Sequence, residues 1–190
     1  NRFEYTKNNM IEAGWLDEKA AAKMKLPAVA PRSTSGQLSG PKGHVIEAVQ
    51  KEITMTDGAQ ELVETLHAQG HSVALVSGGF IDIIRPMINS LSIKYYKANT
   101  LEIVDGVLTG GLIGPVIDRV AKAEALKEFA RASDVAMENT VAIGDGANDL
   151  GMMAIAGLSI AFNAKPVVVE AADMAINEPS LKTVIELIGL

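Results

Sequence analysis

The sequence predicts an α/β protein built on a parallel sheet covered by helices on both faces, and three observations carry that expectation. Short apolar runs at Val73-Ala74-Leu75-Val76, Val141-Ala142-Ile143 and Leu158-Ser159-Ile160-Ala161-Phe162 read as strands buried on both faces. Longer segments between them carry apolar residues at helical intervals, and strands that alternate with helices pair in parallel. The third observation is Gly144-Asp145-Gly146-Ala147-Asn148-Asp149, directly after one of the runs. It gathers polar groups at a strand's carboxyl end, where an open α/β sheet binds its ligands.

Taken in order, residues 1–26 mix polar and apolar positions and read as short helices, and residues 27–43 are rich in Pro, Ser and Gly and read as a loop or linker. Helical spacing resumes over 45–53. Thr56-Asp57-Gly58 is a turn able to cap a helix over 59–69, and Gly70 ends it. The strand at 73–76 leads into Ser77-Gly78-Gly79-Phe80 and a helix over 81–91. Residues 95–99 read as a strand, and residues 101–110 hold the Asp105-Gly106 turn between alternating apolar residues that marks a β-hairpin. A helix spans 120–132. After the strand at 141–143, Asn148 reads as the cap of a helix carrying Met152, Met153 and Ile155. The remainder reads as a strand over 158–162, a helix over 166–172 with Pro in its first turn, a short edge strand over 174–176 and a closing helix over 181–188.

A chain of 190 residues with 48% hydrophobic content can bury one substantial core, with room for a small appended lobe. A net charge of -6, with no cluster of Lys and Arg, argues against nucleic acid and anionic membrane surfaces as partners. Zero cysteines exclude a disulfide framework and a thiolate metal site, and fit a reducing compartment. No apolar run approaches the roughly 18 residues of a membrane span, so a soluble, cytoplasmic protein is expected. Asn at position 1, in place of Met, is compatible with a native start further upstream.

Three sets of residues can carry chemistry. Asp145 and Asp149, four residues apart beside a helix N-terminus, suit a hard cation such as Mg²⁺, which takes one or two carboxylates and shares the rest of its shell with water and phosphate. A tight turn with a solvated acid is the plainer reading. Ser77 with the free backbone amides of Ser77-Gly78-Gly79-Phe80, at the start of a helix, offers an anion site, although Ser and Gly also make ordinary entry turns. Lys122 lies near a helix N-terminus, where the dipole disfavours a cation, yet most lysines are simply exposed.

Together, residues 73–80, 101–115, Asp118-Arg119-Val120-Ala121-Lys122-Ala123, 143–153 and Ala161-Phe162-Asn163-Ala164-Lys165-Pro166 resemble the phosphoserine phosphatases of the haloacid dehalogenase superfamily. The resemblance runs from about residue 45 to residue 190. It implies a Rossmann-like parallel sheet with a partial helical cap and a β-hairpin, divided into a partial cap and linker over 1–44 and a phosphatase core over 45–190. It also implies Mg²⁺-dependent hydrolysis of O-phosphoserine through an aspartyl-phosphate, the last step of serine biosynthesis, and it admits a homodimer. Ser77 and the Gly78 amide would hold phosphoryl oxygens, Lys122 would neutralise charge on them, and Asp145 would ligate the metal. Asn148 would bind substrate, and Asp149 would orient the metal's water or Lys122.

The same resemblance requires a nucleophilic Asp in an Asp-x-Asp-x-(Ser/Thr) motif on a first, central strand. No Asp-x-Asp occurs in these 190 residues. The expectation is therefore a chain that begins inside the cap, lacks its central first strand and does not turn over as it stands. Gly14-Trp15-Leu16-Asp17 is faintly similar to the family's cap, and Lys23, Lys25 and Arg32 match none of its motifs. A phosphate-binding module without catalysis is the alternative. The phosphorylation domain of an ion-pumping ATPase shares the Gly-Asp-Gly-x-Asn-Asp pattern but fits the residues around Ser77 and the hairpin less well.

Overall fold

The chain divides into two compact units, Asn1–Gly40 and Pro41–Leu190. The computed structural model describes residues 44–190, together with Lys19 and Ala22, which are helical. The cap, short helices and linker expected before residue 44 otherwise lie outside the described residues.

Helices α1 (His44–Glu52) and α2 (Ala59–Ala68) precede strand β1 (Ala74–Phe80), helix α3 (Ile81–Ser90) and the hairpin strands β2 (Tyr95–Val104) and β3 (Val107–Ile113). Then come α4 (Arg119–Ala132), β4 (Val141–Gly144), α5 (Leu150–Met153), β5 (Leu158–Phe162), α6 (Pro166–Val169), β6 (Met174–Ile176) and α7 (Lys182–Leu187). The strands form two three-stranded ladders, β1-β2-β3 and β4-β5-β6. In the first, β1 and β2 are parallel and β2 and β3 antiparallel; the second is parallel throughout. The single sheet expected from sequence is thus two ladders among the described residues, with β1 and β4 at their edges.

Local chemistry accounts for most boundaries. The hairpin turns at Asp105 and Gly106, both at positive φ (47° and 83°), the backbone that a type I′ turn demands. Helix α2 ends where Gly70, at φ 81°, sends its N–H to the His67 carbonyl while His71 N–H reaches Leu66. Asp118 caps α4 by accepting from Ala121 N at 2.9 Å, which contributes about 1 kcal/mol.

One boundary expectation is sharpened, the Thr56-Asp57-Gly58 turn capping α2 through its glycine, and three are corrected. The N-cap of α2 is Gly58 at φ 76°, with no side-chain cap; a Cβ there would lie 2.6 Å from Lys182 N, because Asp57 O accepts from Leu181 N and draws α7 onto this turn. Strand β1 does not stop at Val76 but continues through Phe80, with a bulge against β2 between Ser77 and Phe80. Asn148 does not cap α5, a helix of four residues whose N-cap is Asp149. Helix α6 is likewise one turn, ending at Val169 rather than at 172.

Alternation along β5 explains how the second ladder is covered on both faces. Ile160 packs with Leu62, Ile176 and Val184, whereas the next residue, Ala161, packs with Ala142, Met153 and Val168 on the opposite side. A third cluster, Val63, Ile81, Ile88, Leu91 and Ile93, lies under the first ladder. Leu62 and Val63 are neighbours on α2 and enter different clusters, so this helix joins the two ladders. No helix among the described residues is long and apolar enough to cross a membrane.

Candidate functional site

The turn after β4 is built around one buried carboxylate. Asp149 is 5% exposed; its Oδ2 accepts from Asp145 N (3.2 Å) and Gly146 N (3.1 Å), and its Oδ1 accepts from Lys122 Nζ at 2.6 Å. The glycines on either side of Asp145 are required for space rather than for positive φ. A Cβ on Gly144 would lie 2.5 Å from Asp149 Cβ, and one on Gly146 would lie 2.5 Å from Asn148 Oδ1. The carboxylate that folds back on its own turn is what leaves α5 without a side-chain cap.

Lys122 stands in the second turn of α4 and is 5% exposed. The reading of an exposed surface lysine is overturned: an ammonium this deep persists only if paired, and Asp149 is the pair. Asp149 in turn has both oxygens engaged. Asp145 faces solvent with its carboxylate, while its carbonyl accepts from Lys165 N at 3.1 Å, tying the turn to the start of α6.

Ser77 and Gly78 lie in the bulge of β1. Ser77 Oγ accepts from Gly79 N at 3.0 Å, so one amide expected to be available to an anion is occupied by the serine itself. A Cβ on Gly78 would come within 4.0 Å of Asn148 Nδ2 and 3.6 Å of the Ile117 carbonyl, so the bulge sits against both the Asn148 turn and the entry to α4. The structure thus brings Gly78 to Asn148 and Lys122 to the Asp145–Asp149 turn. Among the described residues no group of three or more His, Cys, Asp or Glu is assembled as a metal cage.

One residue at this junction escaped the sequence reading. Asn99, 6% exposed on β2, donates from Nδ2 to the Gly78 carbonyl at 2.7 Å and accepts at Oδ1 from Ile117 N at 2.8 Å. The available signal was an asparagine inside a strand, a residue type depleted there unless its amide has work to do.

A family model described as haloacid dehalogenase-like hydrolase matches residues 11–154. The chain belongs to this family. Within it, the similarity is to phosphoserine phosphatases. The chain is 49% identical over 153 residues to "Phosphoserine phosphatase" of Streptomyces coelicolor, covering 80% of this chain but only 37% of that relative. It is 37% identical over 186 residues to "Phosphoserine phosphatase" of Streptococcus thermophilus, covering 91% of this chain and 86% of the relative. Among solved structures, "Phospho-Aspartyl Intermediate Analogue of Phosphoserine phosphatase" superposes with a TM-score of 0.72 at 41% identity, over 77% of this chain and 70% of that one.

Proposed function

We propose that these residues form the phosphate- and metal-binding part of a phosphatase acting on O-phosphoserine. The observation that carries the reading is the buried Lys122–Asp149 pair, which fixes an ammonium beside the Asp145 turn. An isolated fold has little reason to retain such a pair, because apolar replacements of similar volume are often neutral or stabilising. A site for a dianion has a clear use for it.

In this reading the Ser77 hydroxyl, already accepting from Gly79 N, keeps its own proton to donate to a phosphoryl oxygen. The Gly78 amide would hold a second oxygen, and Asn148, exposed beside Gly78, would bind substrate. Lys122 supplies fixed positive charge where charge develops during phosphoryl transfer, and Asp149 holds its ammonium in place. The donor set fits magnesium: Asp145 offers one exposed carboxylate, whereas Asp149 is committed to Lys122 and two amides. When bound, magnesium would neutralise charge on the phosphate oxygens. A phosphoenzyme needs a further carboxylate to attack phosphorus as the serine oxygen leaves, and with no Asp-x-Asp in the 190 residues that group would come from outside them.

The same missing motif favours a second reading, a phosphate-binding module without turnover. Phosphate release from O-phosphoserine separates the two, measured with and without Mg²⁺ on this chain and on one extended upstream by an Asp-x-Asp-x-(Ser/Thr) strand. Mg²⁺-dependent release by the extended chain alone supports the enzyme. Phosphoserine binding by both without release supports the module, and neither binding nor release removes both.

A further inference from the structure

We propose that Asn99 is a positioning residue that sets the separation between the phosphate-holding bulge of β1 and the helix that carries Lys122. The inference rests on the phosphate-site reading above and extends it to a residue outside the motifs. In the ladder, Ser77 lies opposite Ala98 and Phe80 opposite Asn99, so Gly78 and Gly79 are the extra residues of the bulge. A bulge leaves its extra residues out of the ladder. Here Ser77 Oγ takes the Gly79 N–H, and the Asn99 side chain takes the Gly78 carbonyl. The other end of the same amide accepts from Ile117 N, one residue before the Asp118 cap of α4.

A single planar amide, about the width of a peptide group, therefore spans from the Gly78 carbonyl to the backbone that launches the Lys122 helix. Both of its functions are used, and it is buried, so neither water nor rotation replaces it cheaply. The partners lie 21 and 18 residues away in sequence, and the link is tertiary rather than part of a local turn. Gly78's amide and Lys122's ammonium can grip one phosphate only if this distance is held, because positioning carries much of phosphoryl-transfer chemistry.

The test uses the 190-residue chain with inorganic phosphate and Mg²⁺ as the probe, reading affinity by calorimetry and the backbone amide signals of residues 77–79 and 117 by NMR. Asn99→Asp keeps the acceptor for Ile117 N but sets an oxygen against the Gly78 carbonyl; Asn99→Gln keeps both functions on a longer arm. Ser159→Ala, on β5 and bonded to Asp173, serves as a destabilised control with the site untouched.

Phosphate should shift both amide groups in the wild type. Asn99→Asp should weaken phosphate binding about tenfold, the equivalent of one hydrogen bond, and abolish the response at Ile117. Asn99→Gln should recover part of the affinity, and Ser159→Ala should bind as the wild type does. Unchanged affinity in Asn99→Asp overturns the positioning role while leaving the phosphate site intact, and so does an equal loss in Ser159→Ala. Absence of phosphate binding in the wild type overturns the site reading, and the positioning role with it.

Discussion

Lys122 is held against two separate penalties, desolvation and the positive end of its helix, and Asp149 compensates for both at 2.6 Å. Removing the ammonium strands a buried carboxylate, so Lys122→Ala should destabilise the fold by about 3–5 kcal/mol in urea unfolding. In an extended, active chain it should also cost roughly 3 kcal/mol of transition-state stabilisation, comparable to one preorganised donor. A loss of stability with unchanged turnover would leave the lysine structural. Asp145 is the opposite case. Its side chain is exposed and its structural bonds are made by its backbone, so Asp145→Asn should change stability by less than about 0.5 kcal/mol. Calorimetric titration with Mg²⁺ should nevertheless lose its signal; full retention would take Asp145 out of the metal site.

At the scale of elements, β5 and the start of β6 are locked by Ser159 and Asp173. Ser159 N and Oγ both donate to Asp173 Oδ2, at 2.8 and 2.6 Å, and Asp173 N returns a bond to Ser159 Oγ at 3.0 Å. The Ser159 hydroxyl, then its amide, hold the Asp173 carboxyl below the usual carboxylate range. A carboxyl whose folded pKa is depressed stabilises above its unfolded pKa, and that stability is lost as pH falls through the folded value. Urea midpoints followed from about pH 6 down to about pH 2 should therefore fall on the acid side in the wild type and fall less in Asp173→Asn. Equal acid slopes would remove this carboxyl from the acid response.

The same scale separates what the sequence makes legible from what it hides. Strands β4, β5 and β6 and helices α3, α4 and α7 stand within a residue or so of expectation, because their apolar period reports directly which face is buried. The hairpin turn at Asp105-Gly106 was equally legible, but residues 95–99, read as a separate strand, are the start of its first strand, and the second runs on to Ile113. Caps were not. Asn148 has the residue type of a cap, but Asp149 wins the nearby amides because it is also fixed by Lys122, 27 residues away. Asn99 was hidden for the same reason, both of its partners being distant in sequence. The chemistry-bearing residues could be named from their loops, but which carboxylate is buried and which faces solvent depends on long-range contacts that no local pattern encodes.

For the molecule as a whole, the two ladders are not joined by strand pairing among the described residues, so their cooperation has to pass through packing. Helix α2 is one element placed to do this, with Leu62 in the cluster of Ile160, Ile176 and Val184 and Val63 in the cluster of Ile81, Ile88 and Leu91. If it couples them, amides of β1 and β5 should exchange through the same global opening, as they do in a single cooperative unit. Leu62→Ala opens a cavity beside Ile160 and should cost about 2–5 kcal/mol. Because the lost contacts are those of the second ladder, protection should fall first at β5, and the two ladders should then open at separable free energies. Val63→Ala should do the reverse, lowering protection at β1 first, at a smaller cost. Equal loss at both strands in either variant would mean that the coupling runs elsewhere, through the contacts of α4 with α5 and β1. In that case the Lys122–Asp149 pair, which lies along that route, would become the element on which cooperativity depends, and Lys122→Met should be the variant that separates the two openings.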